Sequence, residues 1–533
     1  MNAKKEEIII AVLSVLFIFL SISPTLILYL KIPADSVYTF LHNSISDYPY
    51  YISFIRQGIE GRITTIDQFT LEDQSPGLIH IFYLGLGRIG RLFGLSAVIT
   101  YFSARIFFGL LLLMTSYVFI SNFIKIKWQR ILAFLIFVTS ISFPQIVETE
   151  KGIALWQYLY WWTEMDPINR LTFIPHFLFG HIGLIAIILL LLSVFKLFRL
   201  DYFILSILIG LILGLVHPPS LGMFYLILGL YLLFNLNVKN LRTLSIYIIS
   251  TVPSLIYIYY TTQNVFPWNL MGKQESLFYA INLVEYLLSL GPVLILGLIG
   301  ILIKRKGEAL VLSLWILIDI IMIPVSSKFP VFSNIRFLSM LIQLPLSILA
   351  VLLFDFLKKR RKKVLFSLLI SLQMVLTLMM LPGSLISAFS SGNLSILNFI
   401  YPKKSLVTAL TFLDRKTFPS GAILANQENS MLSVIYSNRP VYFGQPVWTY
   451  QNQEKKQRTE EFFSGKMNAC QTFQFLKEGK IGYILTENSK NDFTDKNYLY
   501  LDKLYEEDDI AIYKFQKDGQ EDVIKGLSCF VRT

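Results

Sequence analysis

The sequence predicts a mainly α-helical, polytopic membrane protein with about 11 transmembrane helices and a small C-terminal α/β domain. Three observations carry this prediction. Of the 533 residues, 54% are hydrophobic and only 15% are charged, and the mean hydropathy is +0.58, values that soluble domains do not reach. Apolar runs recur along residues 1–400 with basic clusters between them. The composition becomes mixed from about Lys403 onward.

Each predicted crossing is an apolar run close to the roughly 20 residues needed to cross a bilayer. We expect the first run to remain as an anchor, because it is too long for the core of a secretory signal and no small-residue cleavage site follows it. The predicted crossings are 8–30, 98–122, 130–146, 174–195, 202–217, 220–236, 244–261, 287–303, 309–326, 335–357 and 364–384. Of these, 202–217 is short and 130–146 is marginal.

The formal net charge of +12 comes mainly from short Lys/Arg clusters between the apolar runs. The positive-inside rule explains such clusters, so they do not indicate nucleic-acid binding. They are Lys4-Lys5, Lys125/Lys127/Arg130, Lys196/Arg199, Lys239/Arg242, Lys304-Arg305-Lys306 and Lys358 to Lys363. All fall on one side of the predicted alternation. We therefore expect a multi-pass cell-membrane protein with a cytoplasmic N terminus and an extracytoplasmic C-terminal domain.

The opposite face holds most of the unusual polar residues. They lie in the first loop, 31–97, in the second loop, 147–173, and at the mouths of later crossings. All five histidines lie on or near this face: His42, His80, His176, His181 and His217. Ionisable groups near a membrane face are costly unless they serve a solvated cavity, so their clustering predicts a functional site.

Asp47, shortly after the first crossing, is the candidate catalytic residue. A carboxylate at a membrane surface can act as a general base on an acceptor hydroxyl. Arginine suits a lipid-linked phosphate, because its planar fork binds phosphate oxygens in pairs and stays charged. Asp47 with Arg170 or Arg336 therefore suggests group transfer from a phosphorylated lipid. The candidate substrate-binding residues are Glu72, Asp73, His80, Arg170, His176, His217 and Arg336.

Several of these candidates have a simpler interpretation. His217 fits a helix end equally well, and Arg336 fits a basic anchor that reaches toward the interface. Glu72 and Asp73 fit a turn better than a catalytic pair. The tryptophans of the second loop are more typical of an interfacial belt than of a sugar platform; they are Trp156, Trp161 and Trp162.

The sequence predicts no cofactor. A divalent metal is compatible with the histidines and acids, but no HxxxH, HxH or comparable spacing supports one. The glycines from Gly85 to Gly90 lie in an interfacial run without a preceding strand and so do not form a phosphate-binding loop. The two cysteines, Cys470 and Cys529, lie in the C-terminal part. They can pair if that part is extracytoplasmic, or remain as two thiols.

Residues 401–533 alternate predicted helices and strands, which indicates a small α/β domain. The predicted helices are Ser405 to Lys416, Glu428 to Tyr436 and Thr459 to Lys477. The predicted strands are Gly421 to Ala425, Pro440 to Phe443, Ile481 to Thr486 and Ile510 to Phe515. Because this domain and the first loop share one side of the membrane, we expect the domain to dock over the loop.

The order of several short motifs is informative. In the membrane part they are Ser46-Asp47-Tyr48, Gln74-Ser75-Pro76-Gly77, Ala104-Arg105, Ile174-Pro175-His176, His217-Pro218 and Asn334-Ile335-Arg336-Phe337. In the C-terminal part they include Ala422 to Ala425, Asn438 to Gly444, Glu461 to Gly465 and Gly482 to Leu485. This layout resembles the GT-C class of polytopic glycosyltransferases, which includes protein O-mannosyltransferases and lipid A aminoarabinose transferases, and the resemblance covers most of the chain.

The resemblance implies inverting transfer of a sugar from a polyprenyl-phosphate donor to a protein, lipid or glycan acceptor, with Asp47 as the base. Two features depart from it. Trp161-Trp162-Thr163-Glu164 only partly matches the Trp-Trp-Asp-Tyr-Gly motif of oligosaccharyltransferases, which disfavours transfer to asparagine. The acid found directly beside the catalytic one in some mannosyltransferases is missing, so Asp47 would act alone or with Glu72 or Asp73.

Two other functions remain open at this stage. A transporter or flippase of lipid-linked sugars would carry ionisable residues near the midplane of several crossings. Asp319 is the one clearly central acid here. An O-antigen ligase or polymerase would have its main polar loop between late crossings, whereas the first loop and the C-terminal part are largest in this chain.

Overall fold

A computed structural model describes residues 3–41, 44–149, 152–235, 237–275, 277–303, 307–328, 333–354, 357, 360–387, 398–414, 421–487 and 500–516. By its internal contacts the chain divides into two compact units. Unit 1 comprises residues 1–26, 103–260 and 275–390. Unit 2 comprises residues 27–102, 261–274 and 391–533, so the first loop and the C-terminal part fall in the same unit. The domain boundary between residues 400 and 401 stays a prediction.

Helices dominate the described chain. They are α1 (Ala3–Leu30), α2 (Tyr48–Ile59), α3 (Ile81–Leu92), α4 (Ala97–Phe123), α5 (Lys127–Thr139), α6 (Pro175–Lys196), α7 (Leu200–Val216), α8 (Pro218–Phe234), α9 (Val238–Asn264), α10 (Asn269–Glu275), α11 (Leu283–Ser289), α12 (Pro292–Ile303), α13 (Ala309–Val325), α14 (Gln343–Phe354), α15 (Arg360–Ser387), α16 (Lys404–Leu413), α17 (Gln427–Tyr436), α18 (Asn452–Phe463) and α19 (Ala469–Glu478). Short 3-10 helices lie at Thr163–Met165, Asn169–Thr172, Ser326–Lys328 and Asn334–Ser339.

The strands are β1 (Pro144–Thr149), β2 (Gly152–Gln157), β3 (Ala422–Leu424), β4 (Ile481–Glu487), β5 (Leu501–Glu507) and β6 (Ile510–Phe515). In unit 1, β1 and β2 form an antiparallel hairpin. In unit 2 the order is β3-β4-β6-β5, with β3 parallel to β4 and the other pairs antiparallel. The sheet and its helices enclose a hydrophobic core that includes Leu424, Phe462, Phe475, Ile484 and Tyr513.

Every predicted crossing contains a helix. Among the described residues, five helices are long and apolar enough to span a bilayer: Lys4–Leu30, Ala97–Phe123, Pro175–Lys196, Val238–Asn264 and Asn334–Phe354. The pair α11 and α12, bent by 95°, makes a sixth if it is one span. Shorter apolar helices, including α7, α8 and α13, account for further predicted crossings. The chain is therefore a multi-pass, mainly helical membrane protein, and the count of eleven stays a prediction.

One predicted crossing is wrong at its C-terminal end. The run 130–146 is not continuous helix, because α5 ends at Thr139 and β1 begins at Pro144. Ser140 is extended, and the Ser142 hydroxyl donates to the Phe143 carbonyl and accepts from the Tyr158 N–H. Serine hydroxyls that bond nearby backbone compete with helix continuation. The hairpin that follows was not predicted, because its short apolar runs are interrupted by polar residues.

Three details of the C-terminal prediction need correction. Pro440 to Phe443 forms one bridge, between Ile423 and Val441, instead of a strand, because its partner β3 has three residues. On the opposite side, the Val441 N–H donates to the Gln68 carbonyl of the first loop. Thr459 to Lys477 is two helices, since Asn468 begins α19 with a capping box.

The third correction is β5, a strand that was not predicted. Its sequence, LDKLYEE, is largely polar and exposed, as is typical of an edge strand. The end of the predicted helix at Lys416 lies outside the described residues.

The predicted docking of the C-terminal part on the first loop is seen within unit 2. The Val37 N–H donates to the Pro402 carbonyl at 2.9 Å. Farther along, the Tyr50 ring stacks on Trp448 with centroids 4.1 Å apart and an interplanar angle of 9°. Such stacking adds to the burial of both rings. The docking expectation is therefore confirmed.

Candidate functional site

Asp47 lies in a tight turn directly before α2. The turn is closed by the Ser44 carbonyl, which accepts from the N–H groups of Asp47 at 2.9 Å and Tyr48 at 3.0 Å. Pro49 stands in the first turn of α2, where its fixed φ suits a helix start. The Asp47 side chain is partly exposed and makes no cap hydrogen bond to α2. Its carboxylate is thus held by a rigid backbone without being used to cap the helix.

The helix behind Asp47 is fixed by close packing in unit 2. The Tyr48 ring meets Tyr101 edge-on, with centroids 5.2 Å apart. Helices α2 and α3 approach so closely that a Cβ on Gly58 would lie 2.1 Å from the Leu84 carbonyl oxygen. Gly87, within the Gly85 to Gly90 stretch, is equally crowded against the Ile55 carbonyl. Gly58 and Gly87 therefore allow the close packing of the two helices.

His80 lies in an aromatic cluster at the start of α3. Its backbone has φ 58°, the left-handed region. Its ring is 5.2 Å from those of Tyr50 and Phe54, and 6.2 Å from Trp448. The histidine thus helps join the first loop to the C-terminal part.

Glu72 and Asp73 both point to cations of the C-terminal part. The Glu72 carboxylate lies 2.6 Å from the Lys455 Nζ. Burial raises the pKa of the Glu72 carboxyl, but hydrogen bonds from Lys455 and Thr70 outweigh it, so the pKa lies below its ordinary value. Asp73 is fully exposed and lies 3.4 Å from Lys480 Nζ. These contacts agree with a loop role for the pair, and their substrate-binding role stays a prediction.

Arg336, in unit 1, is held in place by its neighbours. Its 3-10 helix is tied down by Asn334, whose side chain accepts from the Tyr279 N–H at 2.9 Å and donates to its carbonyl at 2.7 Å. The Arg336 guanidinium binds both carboxylate oxygens of Glu275, with Nε to Oε2 at 3.0 Å. Its Cζ lies 5.3 Å from the Phe177 ring centroid.

Two predicted histidines meet beside the same phenylalanine. The His217 ring lies 4.9 Å from Phe177 and 6.1 Å from His176. His176 is in the first turn of α6, and His217 immediately precedes α8. Helix N-termini favour anions, because their free N–H groups and dipoles are positive. Unit 1 therefore gathers His176, His217 and Arg336 around Phe177, next to two helix N-termini.

His217 is held rigidly in this cluster. Its Nδ1 lies 2.8 Å from the Ser220 hydroxyl, and a Cβ on Gly180 would lie 2.6 Å from its ring. The residue is 3% exposed, and its Nε2 has no hydrogen-bond partner among the described residues. A buried ring nitrogen without a partner requires explanation, and a ligand oxygen would supply one.

Arg170 has different surroundings. It is 3% exposed, and its Nη2 donates to the carbonyl and hydroxyl of Ser140, just past the end of α5. Burial lowers the pKa of the guanidinium to about 10, opposed by the nearby charges of Asp166 and Glu164. Through these contacts Arg170 holds the backbone that follows α5 in place. Its predicted role in phosphate binding stays a prediction.

The sequence analysis did not select two acids that lie next to Arg336 and His181. Glu275 pairs with Arg336, and Glu164 lies 3.7 Å from the His181 Nε2, with both side chains buried. Glu164 follows the Trp161-Trp162 pair, so its position in the second loop was a usable signal. Glu275 had no such signal. No group of three or more His, Cys, Asp or Glu side chains within the described ranges is arranged to hold a metal ion.

Asp47, Glu72, Asp73 and His80 thus belong to unit 2, whereas Arg170, His176, His217 and Arg336 belong to unit 1. The sequence matches no protein-family model and no curated protein. Comparison of the fold with solved structures gives clear matches, all at low sequence identity. The architecture is that of the GT-C glycosyltransferases.

Three solved structures illustrate the match. ArnT from Cupriavidus metallidurans, bound to undecaprenyl phosphate, aligns with a TM-score of 0.54 at 11% identity over 96% of this chain and 98% of that one. The arabinofuranosyltransferase AftD from mycobacteria gives 0.56 at 12% identity over 97% of this chain and 40% of that one. The Archaeoglobus fulgidus oligosaccharyltransferase in its apo form gives 0.50 at 12% identity over 89% and 69%. At these identities the likeness establishes the fold alone.

Proposed function

We propose that this chain is a membrane glycosyltransferase that moves a sugar from a polyprenyl-phosphate donor to an acceptor on the extracytoplasmic face. The observation that carries the proposal is the cluster of His176, His217 and Arg336 around Phe177. Two helix N-termini and an arginine make a site for a phosphate in an otherwise apolar scaffold. The GT-C fold supports the proposal, as does the undecaprenyl phosphate bound to ArnT, a protein of the same fold.

In the proposed reaction Asp47 takes the proton of the acceptor hydroxyl. The acceptor oxygen attacks the anomeric carbon from the side opposite the phosphate, and a new glycosidic bond forms. The bond between that carbon and the phosphate oxygen breaks, and the lipid phosphate leaves with the electron pair. Inversion at the anomeric carbon follows from this single displacement. Deprotonation by a positioned carboxylate contributes typically 10²- to 10⁴-fold in rate.

Arg336 neutralises the charge that develops on the departing phosphate. Preorganised donors around such a charge are often the largest single contribution to catalysis. The Nε2 of His217, which has no hydrogen-bond partner in the described part of the chain, donates to a phosphate oxygen. His176 adds a second donor from the first turn of α6. Arg170, enclosed by its own backbone contacts, is left out of this proposed phosphate site.

The proposed orientation follows from the Lys/Arg clusters and places the first loop and the C-terminal part outside the cytoplasm. Cys470 is disulfide-bonded, which supports an oxidising compartment for this part of the chain. Cys529 lies outside the described residues. The docked C-terminal part then shares a side of the membrane with Asp47.

The transporter alternative has little support from Asp319. Its carboxylate is fully buried and accepts a hydrogen bond from the Tyr286 hydroxyl at 2.5 Å. This hydrogen bond links α13 to α11 within unit 1, which is a structural role. A transport role would draw support from ionisable groups at the middle of several apolar helices.

The test is transfer of radiolabelled sugar from a panel of polyprenyl-phosphate sugars by the purified chain in proteoliposomes. Asp47→Asn should abolish transfer and leave the elution profile and melting temperature unchanged. Asp508→Asn, an exposed change in the turn between β5 and β6, is the matched control and should retain full activity. Transfer at the normal rate by Asp47→Asn would refute the assignment of the base. Movement of the labelled lipid between leaflets without sugar transfer would favour a flippase.

A further inference from the structure

The hairpin of β1 and β2 is an exposed element between α5 and α6. Its strands pair antiparallel from Pro144 with Gln157 to Thr149 with Gly152. An isolated two-stranded hairpin is at best marginally stable in water, because it buries too little surface. Surfaces that cover the two strands therefore add to the stability of the hairpin.

That open face is mainly apolar. Ile146, Leu155 and Ile153 lie on the same face by the pairing register, and their exposed fractions are 70%, 44% and 76%. The chain that follows adds Tyr160, 63% exposed, and Trp161, 49% exposed. Glu148 is the single charged side chain within the described residues of the two strands, and it lies on this same face, opposite Ile153 at the end of the apolar surface. Contiguous exposed apolar surface of this kind marks an interaction site.

The position of the hairpin along α15 indicates its depth. Ile141, just before β1, packs against Leu376 and Met380 of α15, and β2 also contacts that helix. About 20 helical residues separate Arg360 from Met380, a rise of roughly 30 Å, which equals the thickness of the bilayer core. If the basic start of α15 lies at one membrane surface, the base of the hairpin lies at the other.

The exposed surface of α15 is also apolar. Leu368, Leu372, Val375 and Leu378 recur every three or four residues and are 42% to 68% exposed, which is the spacing of a lipid-facing stripe. This stripe runs along the helix toward the end that packs beneath the hairpin. The hairpin thus contacts a helix whose exposed side chains are apolar along its length.

We propose that the β1–β2 hairpin, together with Tyr160 and Trp161, is a membrane-docking surface that lies in the interfacial layer of the bilayer. Aromatic rings with polar edges concentrate in this layer. Apolar side chains of an interfacial element bury themselves at the boundary between headgroups and acyl chains. The bilayer lipid is therefore the partner that covers the open face of the hairpin. This proposal is independent of the proposed reaction.

The test places a fluorescent label on single introduced cysteines in the full chain, reconstituted in vesicles of phosphatidylcholine and phosphatidylglycerol. The variants are Ile153→Cys, with Leu378→Cys as the lipid-facing control and Asp508→Cys as the solvent-exposed control. The unsubstituted chain measures any background labelling of Cys470 and Cys529. Doxyl-labelled lipid and aqueous iodide are the two quenchers.

The label at position 153 should resemble the one at position 378, with several-fold stronger quenching by doxyl lipid than by iodide. Iodide access equal to that at position 508 would overturn the proposal. Shielding from both quenchers would also overturn it, because protein and not lipid would then cover the face. Ile146→Cys, on the same face, repeats the test if Ile153→Cys does not fold.

Discussion

Arg336 and Glu275 form a two-pronged ion pair in unit 1, in which Nε donates to Oε2 at 3.0 Å and Nη2 to the other carboxylate oxygen. The two side chains are only 22% and 21% exposed. A guanidinium has five donors, and two of its nitrogens, Nε and Nη2, donate to Glu275. Glu275 therefore orients Arg336 and also offsets its charge.

Arg336→Lys should lower kcat/KM for the polyprenyl-phosphate donor by roughly 10- to 100-fold, because an ammonium cannot reproduce a bidentate fork and each charge-assisted hydrogen bond contributes about 1.5–3 kcal/mol. The measurement is the initial rate of sugar transfer over a range of donor concentrations. Lys328→Arg, an exposed change in the same unit, should leave the rate unchanged. An unaltered kcat/KM in Arg336→Lys would remove Arg336 from the donor site.

Glu275→Gln should tighten the binding of undecaprenyl phosphate several-fold. The amide retains one acceptor for Arg336 but removes a negative charge near the proposed phosphate position. Binding is measured by displacement of a fluorescent polyprenyl phosphate in detergent. Glu285→Gln, an exposed change at the start of α11, is the control. Equal affinity in the two variants would show that no phosphate binds beside Arg336.

Gly180→Ala should weaken donor binding about tenfold. A Cβ at this position would lie 2.6 Å from the His217 ring, so the ring must move from its place beside His176. Alanine otherwise favours the helix over glycine. Gly229→Ala is the matched control, since nothing lies within 4 Å of its added Cβ. The result to compare is KM for the donor in the two variants, and similar values would contradict a role for the His217 position.

The membrane fold was largely accessible from the sequence, because apolar length and basic clusters report directly on a bilayer. For His176, His217 and Arg336, the sequence predicted only that they lie on the same side of the membrane. Their meeting around Phe177 depends on tertiary packing. The pairing of Glu275 with Arg336 had no sequence signal, since the two are brought together by a 3-10 helix that Asn334 anchors. Local patterns of residues do not encode such contacts.

The C-terminal part shows the same limit from another direction. The apolar strands β4 and β6 were predicted closely, because buried strands have a hydrophobic pattern. The polar edge strand β5 has no such pattern and was missed. The segment around Val441 makes one bridge to β3, and the Val441 N–H bonds the Gln68 carbonyl of the first loop. That is a long-range contact which no local propensity reports.

Arg56→Met should destabilise unit 2 by on the order of 2 kcal/mol. The Arg56 guanidinium donates to the Ile435 and Tyr436 carbonyls at the end of α17 and lies 2.8 Å from the Asp414 carboxylate. A cation at a helix C-terminus also interacts favourably with the helix dipole.

The measurement for Arg56→Met is the thermal unfolding of the purified chain, followed by tryptophan fluorescence. Lys480→Met is the control, because it removes only the exposed pair with Asp73 at 3.4 Å, and such pairs contribute little. The prediction fails if both variants melt at the same temperature.

Asp67 should make the stability of unit 2 depend on pH. The side chain is 1% exposed, and burial raises the pKa of its carboxyl to about 8 from the ordinary 3.8. The folded state therefore binds a proton that the unfolded state releases, so this stabilisation is fully present below about pH 3.8 and is lost as the pH rises through about 8.

The variant that tests this is Asp67→Asn, whose side chain does not titrate. The asparagine keeps an acceptor for the Phe69 N–H, which donates to the Asp67 Oδ1 at 2.8 Å in the natural chain. Between about pH 5 and 8 the melting temperature of the natural chain should fall more steeply than that of Asp67→Asn. Glu428, whose pKa burial raises to about 7, titrates in both proteins and cancels in the difference. If the melting temperatures of the two proteins changed equally with pH across this range, Asp67 would not be the group that carries the proton.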